Sequence, residues 1–244
     1  MQKDKGVLFF TSFVISIFLW FVWWTLAVTV GSVFLFLSFL IPKKRHKVLI
    51  KILSAILTYS VFIIPRHKGL KPKDIPFPVV YVPNHVSFFD LFISGLMLPG
   101  DPRGIELKKF FKLPVYGWFI TRFGMIPIDP GKKSSTLKAL LTAGEKLKKR
   151  EHSILIMPEG MRTKDGNLSE FKNGAFFLSK KFNIPIVPVV FKNLFSINNR
   201  NSILIKPGFC DIYMLDPVYP ENFDSEKELN SYVKNIISEK LFEK

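Results

Sequence analysis

The segment FPVVYVPNHVSFFDLFISGLM, residues 77–97, decides the fold that we predict for this chain. Its first part, FPVVYV (77–82), is a short run rich in β-branched and aromatic residues that ends at Pro83, which is typical of a strand. The part from Leu91 to Met97 reads as a helix. A strand that leads directly into a helix is the basic unit of an α/β domain.

The same alternation continues along the chain. Further strands are predicted at 124–128, 153–157, 184–191, 203–206 and 211–214, and helical segments at 107–123, 137–147, 173–182 and 224–242. Ser225 and Glu228 have the spacing of a capping box at the start of the last helix. We therefore expect an α/β fold whose mostly parallel or mixed sheet is flanked by helices.

Composition narrows the class of protein. The 244 residues contain 35 Lys and Arg against 19 Asp and Glu, a net charge of +16, and 48% of them are hydrophobic. The apolar share excludes a disordered chain, and the basic excess favours anionic partners or surfaces. The single cysteine, Cys210, excludes an intrachain disulfide and multi-cysteine metal sites, and we expect it to be a buried small hydrophobe.

An uncharged N-terminal stretch predicts a membrane-anchoring helical element. The 37 residues from Gly6 to Pro42 carry no charge, whereas one spanning helix needs about 20 apolar residues. Basic residues flank both ends, Lys3 and Lys5 before the stretch and the cluster 43–47 after it, and such residues mark cytoplasmic flanks. This favours a hairpin, with one long tilted helix as the alternative.

The next segment, Lys47 to Ile64, has polar residues at Lys47, Lys51, Ser54 and Thr58, on one helical stripe. It predicts an interfacial amphipathic helix, or alternatively a soluble core helix, that stops at Pro65. We therefore divide the chain into a membrane-associated helical element, residues 1–65, and an α/β domain, residues 66–244.

The first candidate catalytic motif is Asn84-His85-Val86-Ser87-Phe88-Phe89-Asp90, between a predicted strand and helix. His85 is suited to accept a proton, and a carboxylate on its other ring nitrogen would fix its tautomer. Alternatively, Asp90 is the N3 carboxylate of a capping box whose N-cap is Ser87. One carboxylate has two oxygens and could do both.

The second motif, Met157-Pro158-Glu159-Gly160-Met161-Arg162, follows the predicted strand SILIM. Arg162 offers a forked cation for a phosphate, and Gly160 allows positive φ and close backbone approach. Glu159 could accept a hydrogen bond from a hydroxyl or hold Arg162. Taken alone, the motif is equally compatible with a strand followed by a solvated turn.

Together these motifs resemble those of the glycerolipid acyltransferases, specifically the bacterial 1-acylglycerol-3-phosphate (lysophosphatidate) acyltransferases. The NHxxxxD pattern is met in full, and the family's PEG-T-R block is met with Met161 in place of Thr. The FKxG block appears at 171–174 and the IVPV block at 186–189. The four blocks occur in family order within residues 66–218.

The resemblance implies acyl transfer from a thioester of acyl carrier protein or coenzyme A to a glycerol hydroxyl, with no cofactor and no metal. It implies that His85 is the base and Asp90 its partner. Glu159, Gly160, Arg162 and Asn84 would bind substrate. The implied partners are a lysophospholipid and the bilayer, and the implied location is the cytoplasmic membrane with the active site facing the cytoplasm.

One departure concerns the acceptor. The family's second block usually ends in Ile-Asp-Arg, but this chain has Ile128-Asp129-Pro130. The missing charge could come from Arg122, which we include among the substrate-binding candidates, or from Lys108, Lys132 or Lys133. The departure keeps glycerol 3-phosphate and lyso-aminolipids open as alternative acceptors.

Rival functions lack their motifs. A serine hydrolase of the α/β type needs GxSxG, which does not occur. The four histidines include no pair at the spacing of zinc ligands. The charge would also allow a basic, membrane-tethered binding protein, but no recognised nucleic-acid module is present and we expect no nucleic-acid partner.

Overall fold

The structure, a computed structural model, describes the backbone of residues 2–243 and the side chains of residues 7–243. Its α-helices are α1 (Gln2–Leu40), α2 (His46–Tyr59), α3 (Asp90–Met97), α4 (Tyr116–Arg122), α5 (Lys133–Lys148), α6 (Gly174–Phe182), α7 (Leu194–Ile197) and α8 (Glu226–Phe242). Its strands are β1 (Ile63–Gly69), β2 (Val80–Pro83), β3 (Arg103–Leu107), β4 (Ile126–Ile128), β5 (Ile154–Leu155), β6 (Ile186–Lys192) and β7 (Gly208–Met214).

Within the described residues, seven strands form one sheet in the order β1-β7-β6-β2-β5-β3-β4. The strands from β6 to β4 are mutually parallel, β7 is antiparallel to β6, and β1 is parallel to β7. The predicted α/β fold with a mixed sheet is therefore confirmed. The carboxyl ends of β2, β5 and β3 lie side by side, and ligands usually bind at this edge of such sheets.

The sheet has a separate apolar core on each face, because successive side chains of a strand point to opposite sides. Val80 and Val82 of β2 pack with residues of α5, α6 and α8. Tyr81 packs on the other face, in a cluster that also contains Leu19 and Trp23 of α1 and residues of α2 and α3. The N-terminal helices therefore share a core with the sheet.

The predicted N-terminal hairpin is wrong, because α1 is one continuous helix of 39 residues. Lys3 and Lys5, on which part of that prediction rested, have side chains outside the described residues. At 1.5 Å per residue the helix is about 58 Å long, roughly twice the thickness of a bilayer's hydrocarbon core. Its segment Val7–Leu40 is apolar enough to cross a membrane by length and composition, with a mean hydropathy of 2.2.

The helix that was predicted over Lys47 to Ile64 ends earlier, at Tyr59. Its polar stripe does not form an outer face, since Ser54 and Thr58 are buried and Val48 and Ile52 are exposed. Ser54 lies against Gly95, where a Cβ would come within 2.5 Å of its hydroxyl oxygen, so small residues let α2 and α3 approach closely.

Three sequence-based strand and helix assignments need correction. The residues that follow α2 form β1 instead of a longer helix, and the domain boundary predicted at residue 65 falls inside this strand. The strand predicted at 203–206 is a loop. A strand that the sequence did not reveal, β3, ends at Leu107, where the predicted helical stretch begins. The capping residue of α8 is confirmed, because Ser225 accepts a hydrogen bond from the amide of Glu228.

Candidate active site

Two loops meet at the carboxyl edge of the sheet. The segment 84–89 follows β2, and the turn 156–163 follows its neighbour β5. The amide of Thr163 donates a hydrogen bond to the carbonyl oxygen of His85 at 2.8 Å, so the two loops are joined through their backbones. The structure thus brings together the two motifs that the sequence singled out.

His85 and Asp90 are joined by a short hydrogen bond between a ring nitrogen and a carboxylate oxygen. His85 Nδ1 lies 2.6 Å from Asp90 Oδ2, and the side chain of His85 is 23% exposed whereas that of Asp90 is fully buried. A carboxylate on Nδ1 selects the tautomer that carries a proton there. Nε2 then has a free lone pair, and within the described residues it has no hydrogen-bond partner.

Asp90 also caps the loop in which His85 lies. Its Oδ2 accepts hydrogen bonds from the amides of Val86 at 2.8 Å and Ser87 at 3.0 Å. The bond to Ser87 is the one that a capping-box carboxylate makes to the residue three positions before it. The predicted capping box is only half formed, because Asp90 is the first residue of α3 and Ser87 Oγ accepts from the amide of Phe89 instead of that of Asp90. The bonds of Asp90 to the two loop amides fix its carboxylate beside His85.

Glu159 holds the two loops together through its carboxylate, and its role in substrate binding stays a prediction. It is 4% exposed. One carboxylate oxygen accepts from the amide of His85 at 2.7 Å and the other from the amide of Ser169 at 3.0 Å. Burial raises the pKa of Glu159, and these hydrogen bonds oppose that shift. Glu159 is a positioning residue for the segment that carries His85.

Asn84 is likewise engaged by backbone groups, and its role in substrate binding stays a prediction. Its side chain is fully buried. Its amide nitrogen donates to the carbonyl oxygen of Phe191 at 3.2 Å, and its oxygen accepts from the amide of Phe191 at 2.7 Å. Because the side-chain nitrogen and oxygen of Asn84 both bond Phe191 near the end of β6, Asn84 joins the ends of β2 and β6. It thereby fixes where the His85 loop begins.

Gly160 lies at the exposed tip of the turn after β5, with a φ of +72°. A Cβ on this residue would come within 2.4 Å of Lys172 Nζ. Glycine thus lets the turn reverse and lets the Lys172 ammonium lie over it, which adds a cation beside the motif.

Arg162 lines a cavity of about 380 Å³ between the turn after β5, α1 and the loop that follows α7. Burial lowers the pKa of its guanidinium, the Asp90 carboxylate opposes that shift, and the Arg200 guanidinium adds to it. The cavity is also lined by Phe88, from the segment that carries His85. Arg162 therefore shares this cavity with the segment that carries His85.

The structure does not bring Arg122 together with the other predicted binding residues, and its role in substrate binding stays a prediction. Its Nε donates to Ser38 Oγ at 3.0 Å, a second nitrogen donates to the carbonyl oxygen of Ser38, and the guanidinium lies 4.5 Å from the ring centroid of Phe39. Ser38 is 15 residues along α1 from Trp23, which packs against Phe88. That is about 22 Å along the helix axis.

Three residues near the site carried no local sequence signal. Asn198 accepts a hydrogen bond from Ser87 Oγ at 3.2 Å. Arg200 lines the cavity of Arg162. Glu106 lies in β3, near its carboxyl end. Burial raises the pKa of Glu106 to about 6, and the charge of His85 opposes the shift. Only the fold brings these positions, far apart in the chain, to one edge.

Comparison with known proteins places this geometry in context. Residues 70–192, half of the chain, match the family model described as acyltransferase. A chloroplastic 1-acyl-sn-glycerol-3-phosphate acyltransferase of Brassica napus is 30% identical over 75% of this chain and 53% of its own length. The Saccharomyces cerevisiae protein of the same activity name is 30% identical over 62% of this chain and 50% of its own length. The chain therefore spans about half the length of these relatives.

A solved structure shares the fold over almost the whole chain. The crystal structure of the 1-acyl-sn-glycerophosphate acyltransferase PlsC from Thermotoga maritima matches with a TM-score of 0.80 and 23% sequence identity. The match covers 99% of this chain and 96% of that one, so it includes the long N-terminal helix as well as the sheet.

Proposed function

This chain belongs to the acyltransferase family, and we propose that it transfers a fatty acyl group from a thioester to the free hydroxyl of 1-acylglycerol 3-phosphate, giving phosphatidate. The observation that carries the proposal is the 2.6 Å contact between His85 Nδ1 and Asp90 Oδ2, which leaves Nε2 without a partner among the described residues. Phe88 of the same segment lines the cavity that Arg162 also lines. The choice of 1-acylglycerol 3-phosphate as the acceptor rests on the names of the relatives.

The chemistry needs one base and no covalent enzyme intermediate. His85 Nε2 removes the proton of the acceptor hydroxyl while its oxygen attacks the thioester carbonyl carbon. Collapse of the tetrahedral intermediate breaks the carbon–sulfur bond, and the imidazolium returns the proton to the departing thiolate. Cys210 is no alternative nucleophile, because it is fully buried and burial raises its pKa to about 12.

Asp90 stabilises the imidazolium that forms during this step. Its carboxylate is fixed by two backbone amides as well as by His85, so no reorganisation is needed when the charge appears. Arg162 binds the acceptor phosphate, since it lines the cavity that Phe88 of the His85 segment also lines. It has no ion-pair partner among the described residues. Gly160, at the exposed tip of the same turn, lets the Lys172 ammonium lie over the backbone, where it adds positive charge for the acceptor phosphate.

We propose that the enzyme acts at the cytoplasmic membrane, with its active site facing the cytoplasm. One long apolar helix is weak support on its own. Further support comes from the exposed apolar side chains of α1 and α2, such as Phe21, Phe36 and Ile52, which flank exposed Lys43 and Lys44. Basic residues beside an apolar surface favour an anionic leaflet.

The test is an assay of purified protein in liposomes with a panel of lyso-acceptors and two donors, acyl carrier protein and coenzyme A thioesters. We expect phosphatidate from lysophosphatidate with at least one donor. Preferred transfer to glycerol 3-phosphate or to a lyso-aminolipid would mean that this molecule, and not lysophosphatidate, is the acceptor. Pro130 in place of the family arginine leaves that alternative open. No transfer to any acceptor by a folded sample would overturn the proposal and favour a basic membrane-tethered binding protein.

A further inference from the structure

The loop of residues 198–205, between α7 and β7, connects the active-site segment to the N-terminal helix. At its start, Asn198 accepts from Ser87 Oγ. Further along, the carbonyl oxygen of Ile203 accepts from Trp20 Nε1 at 2.7 Å. The loop is therefore held from both sides and forms a fixed wall of the cavity that Arg162 lines.

Arg200 projects from this loop beside Arg162. Its Nη1 donates to the carbonyl oxygen of Arg162 at 3.0 Å, and its side chain is exposed. Within the described residues neither guanidinium forms an ion pair with a carboxylate. Two like charges at one cavity repel each other unless an anion binds between them, and guanidinium groups suit phosphate oxygens because of their forked donors.

The rest of the cavity is apolar on the side of α1. Ile17 and Trp24 of that helix, together with Phe88 of the His85 segment, face the same space as the two arginines. A ligand that complements both parts has a phosphate at one end and a hydrocarbon chain at the other. A lysophospholipid with a terminal phosphate has this chemistry, whereas free glycerol 3-phosphate would leave the apolar wall uncovered.

We propose that Arg200 and Arg162 together bind the acceptor phosphate, while the acyl chain of the acceptor lies along the wall formed by α1. This inference rests on the proposed function and adds a residue outside the family motifs. In this proposal the second guanidinium of the phosphate site comes from the 198–205 loop, in a chain that has Pro130 where its family usually has an arginine.

The test compares Arg200→Gln, Arg200→Lys and the control Arg150→Gln. Arg150 is an exposed arginine just before β5, at the opposite edge of the sheet, so its loss changes net charge equally without touching the cavity. The purified variants are assayed with lysophosphatidate. Binding of lysophosphatidate and of the matching phosphate-free monoacylglycerol is followed by the fluorescence of the cavity tryptophans.

We expect Arg200→Gln to lower kcat/KM for lysophosphatidate roughly 10- to 100-fold, mainly through KM, as expected for the loss of a hydrogen bond between charged groups. Arg200→Lys should lose less, and Arg150→Gln should match the wild type. Monoacylglycerol binding should be the same in all four proteins. A purely structural role of Arg200, through its bond to the Arg162 carbonyl, predicts instead that Arg200→Gln weakens the binding of both lipids alike.

The outcomes separate the two proposals. An active wild type with Arg200→Gln equal to Arg150→Gln overturns the role of Arg200 and leaves the acyltransferase function standing. An equal loss of lysophosphatidate and monoacylglycerol binding in Arg200→Gln also overturns it, since the effect would then not depend on phosphate. A wild type that transfers no acyl group, and shows no preference for the phosphorylated lipid, overturns both proposals.

Discussion

Trp20 of α1 stacks on Phe89, with ring centroids 5.5 Å apart and planes at 17°. Phe89 immediately precedes Asp90, and the indole nitrogen of the same tryptophan bonds the carbonyl oxygen of Ile203. The apolar N-terminal helix is therefore part of the framework of the candidate active site.

Because of this contact, we expect Trp20→Ala to lower the free energy of unfolding of the protein, in addition to weakening any attachment to a membrane. The change removes aromatic packing on Phe88 and Phe89 and one hydrogen bond. We expect the free energy of unfolding to fall by about 2–4 kcal/mol. Thermal or denaturant unfolding in detergent micelles measures the change.

Phe21→Ala is the matched control, because Phe21 is the next residue on α1 and is 69% exposed. Its replacement should alter the free energy of unfolding in micelles by no more than about 0.5 kcal/mol. Equal destabilisation by both changes would mean that the stacking on Phe89 contributes nothing specific.

Asp90→Asn should lower kcat for acyl transfer by about 10²- to 10⁴-fold. An amide cannot stabilise the imidazolium as a carboxylate does, and it can present an N–H to Nδ1 and favour the wrong tautomer. The KM for lysophosphatidate should change little, because Asp90 is fully buried and does not touch the acceptor. Steady-state kinetics check both parts, and a variant with unchanged kcat would remove Asp90 from the mechanism.

Glu159→Gln tests the joint between the two loops. A glutamine has one acceptor oxygen for two backbone donors, the amides of His85 and Ser169, so one buried N–H would face an NH₂ group. We expect a loss of about 1–3 kcal/mol in unfolding free energy, together with lower kcat. Glu170→Gln, at a carboxylate that is 95% exposed, should be nearly neutral. Indistinguishable unfolding curves for the two variants would contradict the role given to Glu159.

The burial of His152 predicts that this residue lowers the stability of the protein in mild acid. Burial, helped by the charges of Arg103 and Lys146, lowers its pKa from 6.5 to about 4. Between these values the unfolded chain binds a proton that the folded protein does not, so His152 makes stability fall as the pH drops from 6.5 to 4.

The comparison with His152→Gln isolates this contribution, because other groups also titrate. Glu106, whose pKa burial raises to about 6, acts in the opposite direction over part of the same range. Denaturant unfolding at pH 7, 6, 5 and 4 should show a steeper loss of stability for the wild type than for the variant. Parallel pH profiles would show that His152 titrates alike in the folded and unfolded chains.

The sequence predicted the α/β fold and the pairing of His85 with Asp90, because both depend on local patterns. A strand that runs into NHxxxxD places the two side chains within one loop and its following helical turn. The sequence did not predict that Asn84 and Glu159 are fully engaged by backbone groups, since their partners are Phe191 and Ser169. Such partners are defined only when strands far apart in the chain become neighbours.

The N-terminal region shows a second limit of prediction from the sequence. Flanking charges suggested a hairpin, but α1 continues because nothing in it interrupts the helix and because one face packs on the sheet through Leu19 and Trp23. Arg122 was a reasonable phosphate ligand by charge alone, yet the fold uses it to hold Ser38. Arg200, which has no motif around it, reaches the cavity instead.

The central claim is that His85 removes the proton of the lysophosphatidate hydroxyl. The most direct measurement is the initial rate of phosphatidate formation in liposomes by the wild type, His85→Ala and the control His67→Gln, whose site on β1 is separated from β2 by two strands. The account predicts that His85→Ala loses about 10³-fold or more in kcat while it stays folded and liposome-bound, and that His67→Gln keeps its rate. A folded His85→Ala protein that forms phosphatidate at the wild-type rate would contradict it.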